Sequence, residues 1–325
     1  MSEGYRTSQA SQRPNWTSVA ADPDAVMQIK HLPLRARVVV EGFFHGLHAS
    51  PLFGFSSEFS EYRQYTAGDD TRYIDWRLYA RTDRHFIKRF EDETNRACML
   101  VVDQSRSMGY GSGDFTKSDY TRTLAATLAY WLNLQRDCVG LLTYDADLQD
   151  YLPPRYRTGH LRRLMSLLER AEQGTATDIG GALERVAAIS KKRGLVVLLS
   201  DFLAPIETLR VPFSYLRSRG HEVWAVRILD PLESSFEFAD RMTLVDLETG
   251  MSQFVDTQTE KRRYLQRFRD HARALAEVCT DLGIDLSSVH TDEPLKDILF
   301  TWQLRHSQTS GRPVHRRTLG QGRVR

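Results

Sequence analysis

The sequence has little cysteine. Cys98, Cys138 and Cys279 stand far apart, with no CxxC pair and no histidine at ligand spacing. That excludes a zinc ribbon and a disulfide framework, and leaves reduced, mostly buried thiols as the expectation. There is no apolar run of about 18 residues, so no membrane-spanning helix is expected. The opening residues, MSEGYRTSQASQRPNW, lack the apolar stretch of a signal peptide. By elimination, a cytoplasmic protein is expected. Charge of one sign is also missing, since 44 basic and 42 acidic residues leave a formal net charge of +2. Binding nucleic acid through bulk charge alone is therefore excluded.

What is present is a core-building sequence of 325 residues, 41% of them hydrophobic. Residues 1–25 are polar and aperiodic, with too little apolar surface to offset ordering. Residues 26–96 form a candidate N-terminal subdomain, opening with one or two short helices around Pro33. It continues into EFSEYRQYTAGDDTRYIDWRLYARTDRHFIKRFEDE, dense in aromatic and charged residues.

From residue 97 to about residue 300 the texture changes to short apolar runs alternating with helical spacing. Candidate strands are ACMLVVD, CVGLLTY, GLVVLLSD, EVWAVRIL and MTLVDL, with a late one at Ile284–His290. Candidate helices are Tyr120–Gln135, His160–Ala171, Ile179–Lys192, Ile206–Arg219 and Glu260–Asp281, with Pro212 expected to break or kink the fourth. Continuous apolar strands alternating with helices predict an α/β fold with a doubly wound, mostly parallel sheet. Residues 301–325, with six arginines and no acid after Leu304, read as a basic tail.

The segment MLVVDQSRSMGYGSGDFTKS admits three chemistries. An aspartyl-phosphate enzyme needs Asp-x-Asp after its strand, but Ser105 replaces the second acid and cannot do its proton work. A phosphate-binding loop is nearly matched by Gly111–Ser118, but Thr116 stands where the second glycine lets the backbone wrap a phosphate. A metal cradle uses what the others leave idle. Asp103, Ser105 and Ser107 alternate at a strand end, Thr177 adds a hydroxyl from a neighbouring loop, and Asp201 a second carboxylate. Five oxygen donors suit Mg²⁺ or Mn²⁺, with a coordination position left for an outside carboxylate.

Asp103-x-Ser105-x-Ser107, with Thr177 and Asp201, resembles the metal-ion-dependent adhesion site of von Willebrand factor A domains. The resemblance prefers Thr177 over Thr175, because it lies five residues before Ala182-Leu183; Asp178 departs from the commoner pattern. The upstream stretch is similar to the signature of the bacterial domain-of-unknown-function fifty-eight family. The matching residues are Glu58-Phe59, Tyr62-Arg63, Gly68-Asp69-Asp70, Arg72, Ile74-Asp75-Trp76, Ala80-Arg81 and Lys88, followed by YLPPR and LLSDF. Arg63, Arg72, Arg77 and Arg81 alternate with Asp69, Asp70 and Asp75, which suggests an ion-pair network at a packed junction, with a docking surface as the alternative. The resemblance implies a von Willebrand factor A-like domain and a non-enzymatic, Mg²⁺-dependent binding module. It also implies a MoxR-like AAA+ ATPase as partner. The rival reading is a P-loop-like NTPase or a metal-dependent phosphohydrolase.

Overall fold

The computed structural model describes residues 16–49, 62–64, 86–88, 97–145, 147–170, 179–189, 193–238, 241–245 and 252–309. Helices α1 (Trp16–Val19), α2 (Pro23–Met27) and α3 (Leu32–Ala49) lead into a two-stranded antiparallel ribbon of β1 (Tyr62–Gln64) and β2 (Phe86–Lys88). The main domain follows as β3 (Ala97–Asp103), α4 (Lys117–Leu134), β4 (Cys138–Tyr144), β5 (Leu148–Arg155), α5 (His160–Leu168) and α6 (Ile179–Ile189). It continues through β6 (Leu195–Ser200), α7 (Ile206–Ser218), β7 (Glu222–Leu229) and α8 (Pro231–Ser235). A hairpin of β8 (Arg241–Val245) and β9 (Ser252–Asp256) precedes α9 (Thr257–Leu282), β10 (Asp285–His290) and α10 (Leu295–Thr309).

Six strands make one sheet in the order β10-β7-β6-β3-β4-β5, all parallel except β5. Alternation sorts its side chains onto two faces. On one face Cys98, Leu100, Val102, Val197 and Leu199 pack with apolar residues of α3, α4, α5 and α10. On the other, Met99, Val101, Val196 and Leu198 meet Leu183 and Val186 of α6, Phe213 of α7 and Leu275 of α9. Each large apolar side chain so buried contributes about 1.5–3 kcal/mol, which is why these strands read as unbroken apolar runs. The fold class is the doubly wound α/β sheet expected.

Several elements differ from expectation, each for a physical reason. The strand expected at MTLVDL does not join the main sheet but pairs with β9. The link from Leu229 is too short to recross the sheet, and a parallel return needs a crossover. Strand β5 carries Pro153 and Pro154, which hid it in the sequence; it is an edge strand, where a missing donor is tolerated. Pro212 does not break α7, because Leu209, Pro212, Phe213 and Leu216 form one buried face against the sheet.

The chain ends also differ. Within residues 1–25, α1 and the start of α2 are helical and Ala20 is buried. Pro33 lies in the first turn of a single 18-residue helix, α3, whose Val39, Val40 and Phe43 share the core of the main domain. At the other end α10 runs past residue 300, and Trp302 packs edge-on against Trp131 at 4.5 Å. Most of the aromatic and charged stretch from Glu58 onward, and the expected ion pairs within it, lie outside the described residues. Among the described residues no helix is long and apolar enough to cross a membrane.

Candidate metal centre

From β3 the chain moves to β4 on one side, then returns to β6 on the other. That reversal opens a crevice beyond the carboxyl ends of β3 and β6, the place where ligands bind in doubly wound sheets. Asp103 is the last residue of β3, and Asp201 directly follows Ser200 at the end of β6. Both carboxylates are buried, at 1% and 2% exposure.

The loop after β3 is built to face this crevice. The Asp103 Oδ1 accepts the Ser105 N–H at 2.9 Å, and its Oδ2 accepts the Ser200 hydroxyl at 2.6 Å. The hydroxyls of Ser105 and Ser107 lie 3.1 Å apart, and Ser107 is the half-buried member that leads to the surface. A 3₁₀ turn over Arg106–Gly109 follows, and the loop doubles back so tightly that a Cβ on Gly111 would meet the Phe115 carbonyl oxygen at 2.3 Å. Phe202, next to Asp201, holds a left-handed φ of 50° that a phenylalanine rarely adopts. Its N–H bonds the Ser200 hydroxyl, its carbonyl meets His271, and its ring packs on Phe213. Such over-determined strain pins the direction in which Asp201 points.

Burial, with the charge of Asp201 adding to it, pushes the Asp103 carboxyl up to about 6 despite its hydrogen bonds from Ser200 and Ser105. Burial first and the Asp103 charge second lift the Tyr144 phenol well above its usual range. Two buried carboxylates that repel each other thus stand here, flanked by hydroxyls. Among the described residues no three His, Cys, Asp or Glu side chains gather into a metal cage. A cation here would be held by two carboxylates and hydroxyls, all hard oxygen donors, and this set fits Mg²⁺ or Mn²⁺.

The sequence reading placed four of its five ligands at this end of the sheet: Asp103, Ser105, Ser107 and Asp201. Thr177 and the neighbouring Asp178 lie outside the described residues. It missed Lys117 as part of the site. The Lys117 side chain is fully buried, and its Nζ donates to Asp201 Oδ2 at 2.9 Å and to Glu233 Oε1 at 2.7 Å. Burial alone would lower its pKa, but the charges of Asp201 and Glu233 outweigh burial and raise it. Glu233 is itself fixed by a capping box, in which its Oε2 accepts the Asp230 N–H and Asp230 accepts from Leu232 and Ser112. The signal was present as Asp-Pro-x-Glu after a strand, a helix start whose acid has one oxygen to spare.

This placement also separates the loop from a phosphate cradle. Thr116 caps α4 through a capping box with Asp119, and the Lys117 N–H donates to the Tyr110 carbonyl. The amides of Ser112, Thr116 and Lys117 are thus bonded internally, and the lysine faces carboxylates.

The sequence profile of a family described as "Protein of unknown function DUF58" matches residues 61–276. An uncharacterized protein of Mycobacterium tuberculosis H37Rv is 28% identical over 283 residues, covering 86% of this chain and 89% of its own. A shorter protein of Mycobacterium avium is 28% identical over 155 residues, covering 47% of this chain and 90% of its own. Among solved structures, an aerotolerance-related membrane protein from Bacteroides fragilis aligns at a TM-score of 0.46 with 15% identity, covering 66% of this chain and 99% of that one. The SpRpn10 VWA domain aligns at 0.37 with 13% identity, covering 63% and 94% respectively.

Proposed function

Because the chain belongs to the DUF58 family, and two buried carboxylates converge at its switch point, we propose that it is a non-enzymatic protein-binding adaptor with a Mg²⁺- or Mn²⁺-dependent adhesion-type site. The observation that carries the reading is the Asp103–Asp201 pair beside the Ser105 and Ser107 hydroxyls, an oxygen-only set with Asp103 pushed up to about 6. Asp103, Ser105, Ser107 and Asp201, with Thr177, would hold the ion. When bound, Mg²⁺ or Mn²⁺ supplies a hard, electron-poor centre that a partner's Asp or Glu can ligate.

The chain's own residues do the rest. Ser200 and the Ser105 amide fix Asp103, and the locked backbone at Phe202 fixes Asp201. Leu203, 47% exposed beside Asp201, adds an apolar contact at the rim. One carboxylate gives modest affinity, so the partner must also bury surface around it. The family resemblance nominates a MoxR-like AAA+ ATPase as that partner, within the cytoplasm. The NTPase alternative loses its lysine, which is committed to Asp201 and Glu233.

The test is capture of partners from native lysate on the immobilised full chain. An AAA+ ATPase should be retained in Mg²⁺ and released by EDTA. It should not be retained by the Ser105→Ala/Ser107→Ala double variant, whose fold circular dichroism would verify. Equal retention in all three conditions would exclude the metal bridge, and no AAA+ protein in Mg²⁺ would exclude the adaptor role.

A further inference from the structure

Lys117 raises a question that the metal reading leaves open. Its ammonium sits where the positive charge of the site is needed, and it is held there from both sides. Of the two oxygens of Asp201, Oδ2 accepts from Lys117 at 2.9 Å and Oδ1 accepts the Leu203 N–H at 3.3 Å. Both oxygens of Asp103 likewise accept hydrogen bonds, from Ser105 and Ser200. The lysine stem is fully buried at the first position of α4, and its head lies 5.9 Å from the centre of the Tyr110 ring. It has little room to swing aside. Arg227, also buried, donates its Nε to the Asp201 carbonyl and lies over Phe268; its bond to Asp201 is to the backbone, whereas Lys117 bonds the carboxylate.

We propose that Lys117 is an internal cation that competes with the divalent ion for Asp201, and so sets the ion concentration at which the site loads. This rests on the metal reading of the site. The physical case is direct. A tethered monovalent charge is always present beside Asp201, whereas a divalent ion must arrive from solution and shed water. Any ion that draws on Asp201 must share its carboxylate with the ammonium or leave that ammonium to Glu233 alone. Either way it meets repulsion from a fixed positive charge a few ångströms away in a buried setting, where such repulsion is weakly screened. Glu233 has a second task in the α8 capping box, so it stays in place to receive the lysine when Asp201 is taken.

Removing the charge should therefore tighten divalent binding, by about tenfold or more on this argument. Mn²⁺ binding to the purified full chain is measured by electron paramagnetic resonance and calorimetry for wild type, Lys117→Met and Lys117→Gln. The glutamine keeps two N–H donors for Asp201 and Glu233 but no charge. Tighter Mn²⁺ binding in both variants than in wild type is expected. Binding in the variants with none in wild type would support the competition while showing that the wild-type site is closed to metal. Equal or weaker binding in the variants, with wild type binding, would overturn the competition and leave the metal reading standing. No Mn²⁺ binding by any of the three would overturn the metal reading, and the competition with it. Should a variant unfold in chelator, Mn²⁺ is expected to restore its melting transition, and failure to restore it would overturn the competition.

Discussion

At the residue scale, the site is a problem of charge balance. Asp201 and Glu233 share one lysine, and Asp103, without an ion pair of its own among the described residues, is left pushed up to about 6 by burial and by Asp201. Lys117 is the buried cation that pairs with Asp201. Removing one partner of a buried pair leaves an uncompensated charge, which typically costs about 3–5 kcal/mol. In EDTA, Lys117→Met is expected to lose stability in roughly that range by urea denaturation. Glu233→Gln is expected to lose less, because its side chain is 17% exposed and Lys117 keeps Asp201. A Lys117→Met variant as stable as wild type would show that the bridge contributes little. The sequence made Asp103 and the two serines legible through their alternating spacing. It hid the lysine, because the lysine position of a near-match to a phosphate loop invites the wrong chemistry, and its partners stand 84 and 116 residues away.

At the element scale, strands β3, β4 and β7 were legible to the residue, because both faces of each are buried and the apolar run has sharp ends. Strand β5 was not. It is antiparallel, half exposed, and carries a register shift against β4, so neither an apolar run nor clean alternation marks it. Gly140 explains how it packs: a Cβ there would lie 2.7 Å from the Pro154 nitrogen and 2.8 Å from the Leu152 carbonyl oxygen. Those are backbone and ring atoms that cannot move without parting the strands. Gly140→Ala is therefore expected to cost about 1–3 kcal/mol, the range of an overpacked interior position. The β5 amides should lose hydrogen-exchange protection first, while β3 and β6 keep theirs. Uniform loss across the sheet, or no loss, would contradict this account of the edge.

At the scale of the whole molecule, the two ends of the described chain close over the same face of the sheet. Phe43 of α3 and Trp302 of α10 both pack in edge contacts with Trp131 in α4, at 5.6 Å and 4.5 Å between ring centres. This joins sequence positions far apart into one core, and no local pattern announced it. Periodicity shows that a helix has an apolar face, but not which helix that face will meet. The residues expected to form a separate N-terminal unit thus begin with a helix that belongs to the main core. The crevice opens at the carboxyl end of that sheet, and its load is tested most directly by thermal melting with and without Mn²⁺. Wild type is expected to melt higher in saturating Mn²⁺ than in EDTA. An ion at about 100 times its Kd adds about 2.7 kcal/mol, roughly 5–10 °C for a domain of this size. Asp103→Ala is expected to show no such rise. A rise of the same size in Asp103→Ala, or none in wild type, would contradict a metal centre at the end of β3.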